Sequence, residues 1–486
     1  GTTLPGGGTH AFAYDSRGRL TSQTSPTGET TTYQYDARDR LWQVALPLGV
    51  QADYTRNALG QITQVTDPRG NTATYTYDAL GNRTSATDAL GNTTTYTYDA
   101  QNRPATIAFP GGSLAITFDA AGRVTQRAWS DGTTLVYGYD AAGRLTSGTN
   151  FSATFDARDL HTTTNGIVVT HTPGGRLATV APGSTNTIAY TYDTAGRVAT
   201  IDDGLGGLTT FGYDAAGRRT SIGRPNGVTT TYTYDADGNL TNQTDGAFGS
   251  IQLAYDAGGN PTAATRTLPL APVPAFGSDA WTHDAASQVA TYTYDARGNL
   301  TDDGTRQYTW NHANLLAQID EGATTTTYVY DALSRRVERT TGSETRTYTW
   351  NDALTIPAIT KIGDGVSDLL YFVHTPEGEL LHWYDGAGVR WFYHYDEAGN
   401  VFAMTNDTGN VTETHSYSPF GRLEQSSTWT ENPFTWQGRF GATNEGGDLY
   451  NFGYRFYDTQ TATGLSREGD EGGGPPHGQL QFEGGQ

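Results

Sequence analysis

Four histidines, His374, His382, His394 and His415, fall among Glu377, Asp385 and Asp396. Imidazoles and carboxylates are the side chains that hold zinc and other divalent ions, so this segment is where metal chemistry would sit. The four histidines do not repeat at a helical or hairpin ligand spacing, and they are expected to pack on aromatic faces within a sheet. The run Asp235-Ala236-Asp237-Gly238-Asn239 resembles the start of a calcium loop, but its glycine is the fourth residue rather than the sixth and no acidic residue closes it, so a plain turn is expected. No phosphate-binding loop, GxSxG elbow or HExxH motif occurs. With no cysteine in 486 residues, thiol nucleophiles, disulfides and thiolate zinc sites are excluded. Sequons such as Asn82-Arg83-Thr84 and Asn239-Leu240-Thr241 arise from a repeated phrase. No cofactor and no metal is expected.

The elements that would have to position any chemistry are more informative. Tyr14-Asp15, Tyr35-Asp36, Tyr77-Asp78, Tyr98-Asp99, Phe118-Asp119 and Tyr139-Asp140 recur mostly about 21 residues apart. The period resumes at Tyr192, Tyr213, Tyr234 and Tyr255, with weaker echoes at His283, Trp310, Tyr330, Trp350 and Tyr395. Within a unit the pairs Tyr75 and Tyr77, Tyr96 and Tyr98, and Tyr232 and Tyr234 stand two apart, so both rings point to one face of a strand and threonine takes the other. Tyr33, Tyr75, Tyr96, Tyr190, Tyr232 and Tyr292 should be equivalent along one face, their rings stacking from repeat to repeat. Asp-Ala-x-Gly then supplies a type I turn with a bulge, and a second turn such as Asp67-Pro68-Arg69-Gly70 closes the unit.

Two strands per unit give roughly 46 short strands, a sheet on the order of 220 Å long at about 4.8 Å per strand. Open sheets beyond about 10 strands curl, so the strip should wind into a spiral. Apolar residues make up only 35% of the chain and glycine reaches 61, so an all-β array held by neighbour contacts is expected rather than a thick aliphatic core. The stretch 267–281 places Pro269, Pro272 and Pro274 where ladder donors would be needed and reads as an irregular excursion. A net charge of −21 with arginines spread one per repeat argues against nucleic acid as a partner. No apolar run reaches the length of a membrane span. The start, GTTLPGGGTHAFAYD, lacks an initiating Met and a signal-like pattern, and reads as a processed or excised piece.

The phrases YDAAGRLTS at 139–147 and YDALGN at 77–82 resemble the YD repeats of the RHS family, over most of the chain from Tyr14 onward. The segment 393–423 resembles the family's final repeat, and PFTWQGRFGATNEGGDLYNFGYRFYD at 433–458 its RHS-associated core. The resemblance implies a hollow, cocoon-like shell, as in bacterial toxin-complex C components and teneurins. In the toxin members such a shell encloses a C-terminal toxin that an internal aspartyl protease cuts free. It divides the chain into a YD-repeat shell at 1–375, with an irregular excursion at about 262–281, and final repeats plus core plug at 376–486. It also carries a catalytic arginine onto Arg455 and a catalytic acid onto Glu468, where the family has aspartate. The flanking residues depart as well: Ala462-Thr463-Gly464 stands for Gly-Arg-Phe and Gly469 for proline. The second aspartate would lie beyond Gln486, so any protease here is incomplete or degenerate. QLQFEGGQ at 479–486 corresponds to a strand before the cleavage motif, and Leu480 and Phe482 are expected to be ordered against the inner face of the sheet, within reach of Arg455.

Two functions follow as expectations. The first is a secreted or cell-surface shell that encapsulates or delivers a C-terminal effector, with that effector or a secretion-system component as partner. The alternative is an extracellular adhesin whose Tyr, Trp and Arg faces bind carbohydrate or a partner cell.

Overall fold

The structure is a computed structural model that describes residues 2–3, 9–47, 51–183, 186–270, 281–284, 288–427 and 432–466. Among them 45 strands follow one another without an α-helix. Within each sheet every strand pairs antiparallel with the next in sequence. The ladder runs from Thr2–Thr3 with Thr9–Tyr14 to Gly249–Tyr255 with Pro261–Thr267, and again from Thr293–Tyr294 to Leu423–Ser426. The two ladders hold 27 and 14 strands, and four more between Thr443 and Gly464 form a separate small sheet.

The repeat builds each hairpin in the same way. Asp78 Oδ1 accepts the backbone N–H groups of Leu80 (2.9 Å) and Asn82 (2.8 Å), while the Gly81 N–H donates to the Asp78 carbonyl at 3.1 Å. Register shifts by one residue between Thr76 and Tyr77, and again between Thr233 and Tyr234, as a turn with a bulge requires. The fourth turn residue takes positive φ, as at Gly143 (89°). Where glycine is absent, Asp39, Asn102, Asp159, Asn314 and Ser334 occupy that place at φ 62–65°. All but Ser334 are Asn or Asp, the side chains that tolerate this conformation best.

Tyr33, Tyr75, Tyr96, Tyr190 and Tyr232 do occupy equivalent places, facing Val44, Ala86, Ile107, Ile201 and Gln243 on the following strand. Tyr292 differs: it falls in the turn before the two-residue strand Thr293–Tyr294, where its N–H donates to the Val289 carbonyl. The irregular excursion begins later than about 262, because Pro261–Thr267 is a full strand. Its proline sits at the first position, opposite Tyr255, where a missing N–H is tolerated. Of the excursion, 271–280 lies outside the described residues. Ladder pairing continues through 375 and 376, within the turn between Asp368–His374 and Leu380–Asp385.

The strip winds onto itself. Backbone or side-chain hydrogen bonds join Asp131 to His312, Asn150 to Tyr330, Thr164 to Asp352 and Tyr190 to His374, partners 181, 180, 188 and 184 residues apart. In the first three a hairpin end remote from Tyr-Asp meets a Tyr-Asp-type end one winding later, and in the fourth the hydroxyl of Tyr190, within the strand Ile188–Tyr192, reaches such an end. Near the close of the first ladder the separation drops to 149 for Asp245 with His394 and 131 for Arg266 with Glu397, so the winding tightens. About 180 residues at two strands per 21 make a circuit of roughly 17 strands, or about 80 Å.

Burial follows the winding. Strand Thr30–Tyr35 alternates exposed and half-buried residues, whereas Leu380–Asp385 and Val401–Asn406 are buried on both faces except for their last residue. One apolar cluster spans both ladders, with Ile167, Val180, Ile188 and Ile201 against Leu354, Val373 and Tyr384. A second packs Tyr308, Tyr328 and Tyr330 against Leu449, Phe456 and Leu465 of the small sheet.

Candidate functional site: the seam and the C-terminal core

The repeat unit carries its own clamp. The arginine after the turn bonds back to the aspartate of Tyr-Asp: Arg19 Nε lies 2.7 Å from Asp15 Oδ2, and Arg197 and Arg218 do the same at 2.7 Å to Asp193 and Asp214. The same guanidinium then lies over the aromatic ring of the next repeat, Arg19 over Tyr35 at 4.6 Å, Arg197 over Tyr213 at 4.5 Å and Arg218 over Tyr234 at 4.8 Å. The covered tyrosine returns the contact by donating its hydroxyl to a carbonyl near that arginine. Examples are Tyr35 to Leu20 at 2.9 Å, Tyr213 to Val198 at 2.9 Å and Tyr234 to Arg219 at 2.7 Å. Repeats are therefore bridged at these positions by arginine on ring rather than by ring on ring. The charge of arginine and the electron-rich ring face explain why the phrase keeps both residue types. The side-chain bond from Arg40, then its backbone N–H, hold the Asp36 carboxyl down at about 2.

The seam between windings is polar and buried. Thr164 Oγ1 and Asn165 Nδ2 on one winding donate to Asp352 Oδ2, at 2.9 and 3.2 Å, while Arg335 bonds both Asp352 and Asp331. Glu379 takes Arg219 from the first ladder (2.5 Å) and Arg439 from the C-terminal turn (2.8 Å). Burial would raise this carboxyl, but the Arg439 and Arg219 charges outweigh it and hold it lowered. A cavity of about 590 Å³ opens at the seam between Asn150, Ser152 and Asn165 on one side and Val329, Glu338 and Trp350 on the other.

The small sheet is tied to the strip by a fully buried ion pair, Arg336 with Glu445. Thr443 serves both, accepting from Arg336 Nη2 at 2.9 Å and donating to Glu445 Oε1 at 2.8 Å. Arg455 begins the strand Arg455–Asp458, opposite Phe452 across a tight turn, half-buried with its guanidinium 5.5 Å from the Tyr454 ring. Glu468, Leu480 and Phe482 lie outside the described residues.

The four histidines are buried, and three of them meet rings: His382 against Phe392 at 4.9 Å, His394 against Phe248 at 4.9 Å and His415 beside Tyr417 at 6.1 Å. Sequence reasoning missed their carboxylate partners: Asp203 for His382, Asp245 for His394 and Glu413 for His415. The first two partners come from the other ladder, and no local spacing encodes them. Among the described residues no group of three His, Asp or Glu is arranged for a metal. Asp235 spends its carboxylate on the turn, accepting from the Asp237 and Asn239 N–H groups at 3.0 and 2.8 Å.

A family model described as Teneurin YD-shell matches residues 6–173 and 207–468. Among curated proteins, the tRNA3(Ser)-specific nuclease WapA of Bacillus spizizenii and the tRNA nuclease WapA of Bacillus subtilis are each 28% identical over 187 residues, 37% of this chain and 8% of theirs. Among solved structures, the Photorhabdus luminescens Tc holotoxin pore carrying a TccC3 mutation aligns over 94% of this chain and 29% of its own, at 15% identity and a TM-score of 0.53. The TcdB2-TccC3-TEV crystal structure covers 94% of this chain and 27% of its own, at 16% identity and a TM-score of 0.46. The chain thus spans under a tenth of these curated relatives and under a third of these solved chains.

Proposed function

The chain belongs to the teneurin YD-shell family, and on that premise we propose that it is an RHS-repeat shell that encapsulates or delivers a C-terminal toxin or effector not present in these 486 residues. The observation that carries this reading is the seam: a strip one sheet thick that returns to bond with itself about 180 residues later makes a wall rather than an open ribbon. The WapA relatives are nucleases by name and much longer than the matched stretch, which supports a shell that travels with a separate toxic segment. Residues 1–375 serve as wall and 376–486 as closing segment in this proposal, a division of labour rather than of the ladder, which runs on across it. The place of work is outside the cell or at its surface. No helix among the described residues is long and apolar enough to cross a membrane. Arg455 and Glu468 belong, in the same reading, to a degenerate self-cleaving site whose second aspartate would fall after residue 486.

Protease protection tests the enclosure. A reporter polypeptide fused after residue 486 is expected to resist proteinase K while the wall is intact and to be digested once the wall is opened by denaturant. Digestion at the rate of the free reporter would sink the encapsulation reading and leave the surface adhesin in its place.

A further inference from the structure

Two imidazole–carboxylate contacts sit where the windings meet. We propose that the seam is a proton-operated latch, in which His382 and His394 on one winding read the pH against Asp203 and Asp245 at hairpin ends of the other. The proposal concerns the wall alone and holds whether or not the shell carries an effector.

His394 is the better defined of the two. Its Nδ1 lies 3.0 Å from Asp245 Oδ1 and its Nε2 3.0 Å from Thr405 Oγ1. The neutral ring satisfies both contacts, with Nδ1–H donating to the carboxylate and the Thr405 hydroxyl donating to Nε2. A second proton reverses the Thr405 bond. Thr405 Oγ1 already accepts from Asn226 Nδ2 at 2.9 Å, so its own hydrogen would lose its acceptor in a fully buried place. Asp245 is also committed: Oδ1 accepts from the Thr230 hydroxyl at 2.5 Å and Oδ2 from Gln243 Nε2 at 2.7 Å. The cation facing this site is Arg224, which donates to Thr230 Oγ1 and to the Tyr393 carbonyl, and Phe248 and Phe402 cover the ring.

His382 repeats the theme. Its Nε2 stands 3.4 Å from Asp203 Oδ2, an ion-pair separation rather than a well-formed hydrogen bond. Asp203 Oδ1 holds its own turn through the Leu205 and Gly207 N–H groups, and Oδ2 meets Arg390 at 3.0 Å. Arg390 is shared with Asp407 at 2.6 Å, and Arg224 and His374 are the other titratable groups that face His382. Each latch thus carries a cation already, so an added proton meets positive charge as well as burial.

Burial, then the Arg224 charge, push His394 down to about 4. Burial lowers His382 too, with Asp203 pulling the other way. A histidine lowered on folding contributes stability that is complete above its free value near 6.5 and is lost as pH falls toward its folded value. For Asp203 and Asp245 burial acts upward, but His382 and His394 respectively outweigh it and hold them lowered, so their contribution is lost only below about 3.8. The latch therefore loosens between about pH 6.5 and pH 4, before the carboxylates titrate. Local opening at the seam should rise roughly a hundredfold across that window.

Backbone hydrogen exchange, corrected for intrinsic rate, reads this directly. Peptides covering 203–208, 245–249, 380–385 and 390–395 should lose protection at pH 4.5 relative to pH 7.5, while peptides covering 72–98 should not. The double variant His382→Gln with His394→Gln should flatten the response. Equal protection at both pH values, loss spread evenly along the wall, or a full response in the double variant would each overturn the latch. Should that variant fail to fold, peptide-resolved exchange at the imidazole C2 of the unaltered chain gives the His394 titration midpoint: one below 5 supports the latch and one at or above 6.5 removes it.

Discussion

At the scale of single residues, the tyrosine of Tyr-Asp gives a graded experiment because one hydrogen bond recurs in different surroundings. Tyr395 donates to the Leu380 carbonyl at 2.7 Å within the buried second ladder, and Tyr35 makes the matching bond to Leu20 at 2.9 Å in the half-exposed first winding. Tyr395→Phe leaves a buried carbonyl without a donor and should cost about 1–3 kcal/mol, against about 0.5–1.5 kcal/mol for Tyr35→Phe, where water can substitute. Denaturant titration of both variants checks the ranking. Arg336→Met should cost about 3–5 kcal/mol by leaving the buried Glu445 with only the longer Arg339 ion-pair contact at 3.7 Å, while Arg336→Met with Glu445→Leu should recover much of that. The tyrosine register was legible in the sequence because it is local: two rings two residues apart define a face. The Arg336–Glu445 pair was not, since it joins residues 109 positions apart that no repeat relates. Arg455 was assigned through motif resemblance, and the structure places it at a hairpin start beside Tyr454.

At the scale of the hairpin, the fourth turn position decides the backbone. Gly143 sits at φ 89° with open space around it except for Arg123 Nη1, 3.7 Å from where a Cβ would stand. Gly143→Ala should therefore cost about 1–2 kcal/mol from backbone strain alone. Gly143→Asn should cost less, because Asn102 and Asn314 already serve that place in other repeats. Thermal or denaturant unfolding of the two variants tests the order, and an alanine as stable as the asparagine would refute the turn argument. The turn type, its bulge and very nearly the strand number were readable in the sequence, since aspartate, glycine and a 21-residue period fix them by short-range sterics. Tyr292 escaped because its strand is only two residues long, and the arginine bridge between repeats was missed because ring stacking looked sufficient without the charge.

At the scale of the whole molecule, curling of so many strands was foreseeable from twist alone, but the length of one circuit was not. That length sums small angles over roughly 17 strands, and only the seam partners reveal it. The seam also predicts where the wall is weakest to replacement: Asp352→Ala removes the acceptor shared by Thr164, Asn165 and Arg335 and should speed limited proteolysis near 148–166 before any other stretch. The contrast between ladder contacts about ten residues apart and seam contacts about 180 apart bears on how the chain is made. A ribosome adding about 5–20 residues per second needs roughly 10–40 s to lay down one circuit. The first winding can thus assemble hairpin by hairpin while the next is still unborn, and the seam closes only afterwards, in the order of synthesis. Anything translated downstream emerges last, when the first winding has already formed and the second is settling onto it. On the proposed reading of the wall as a shell, the vessel would be built before its contents arrive.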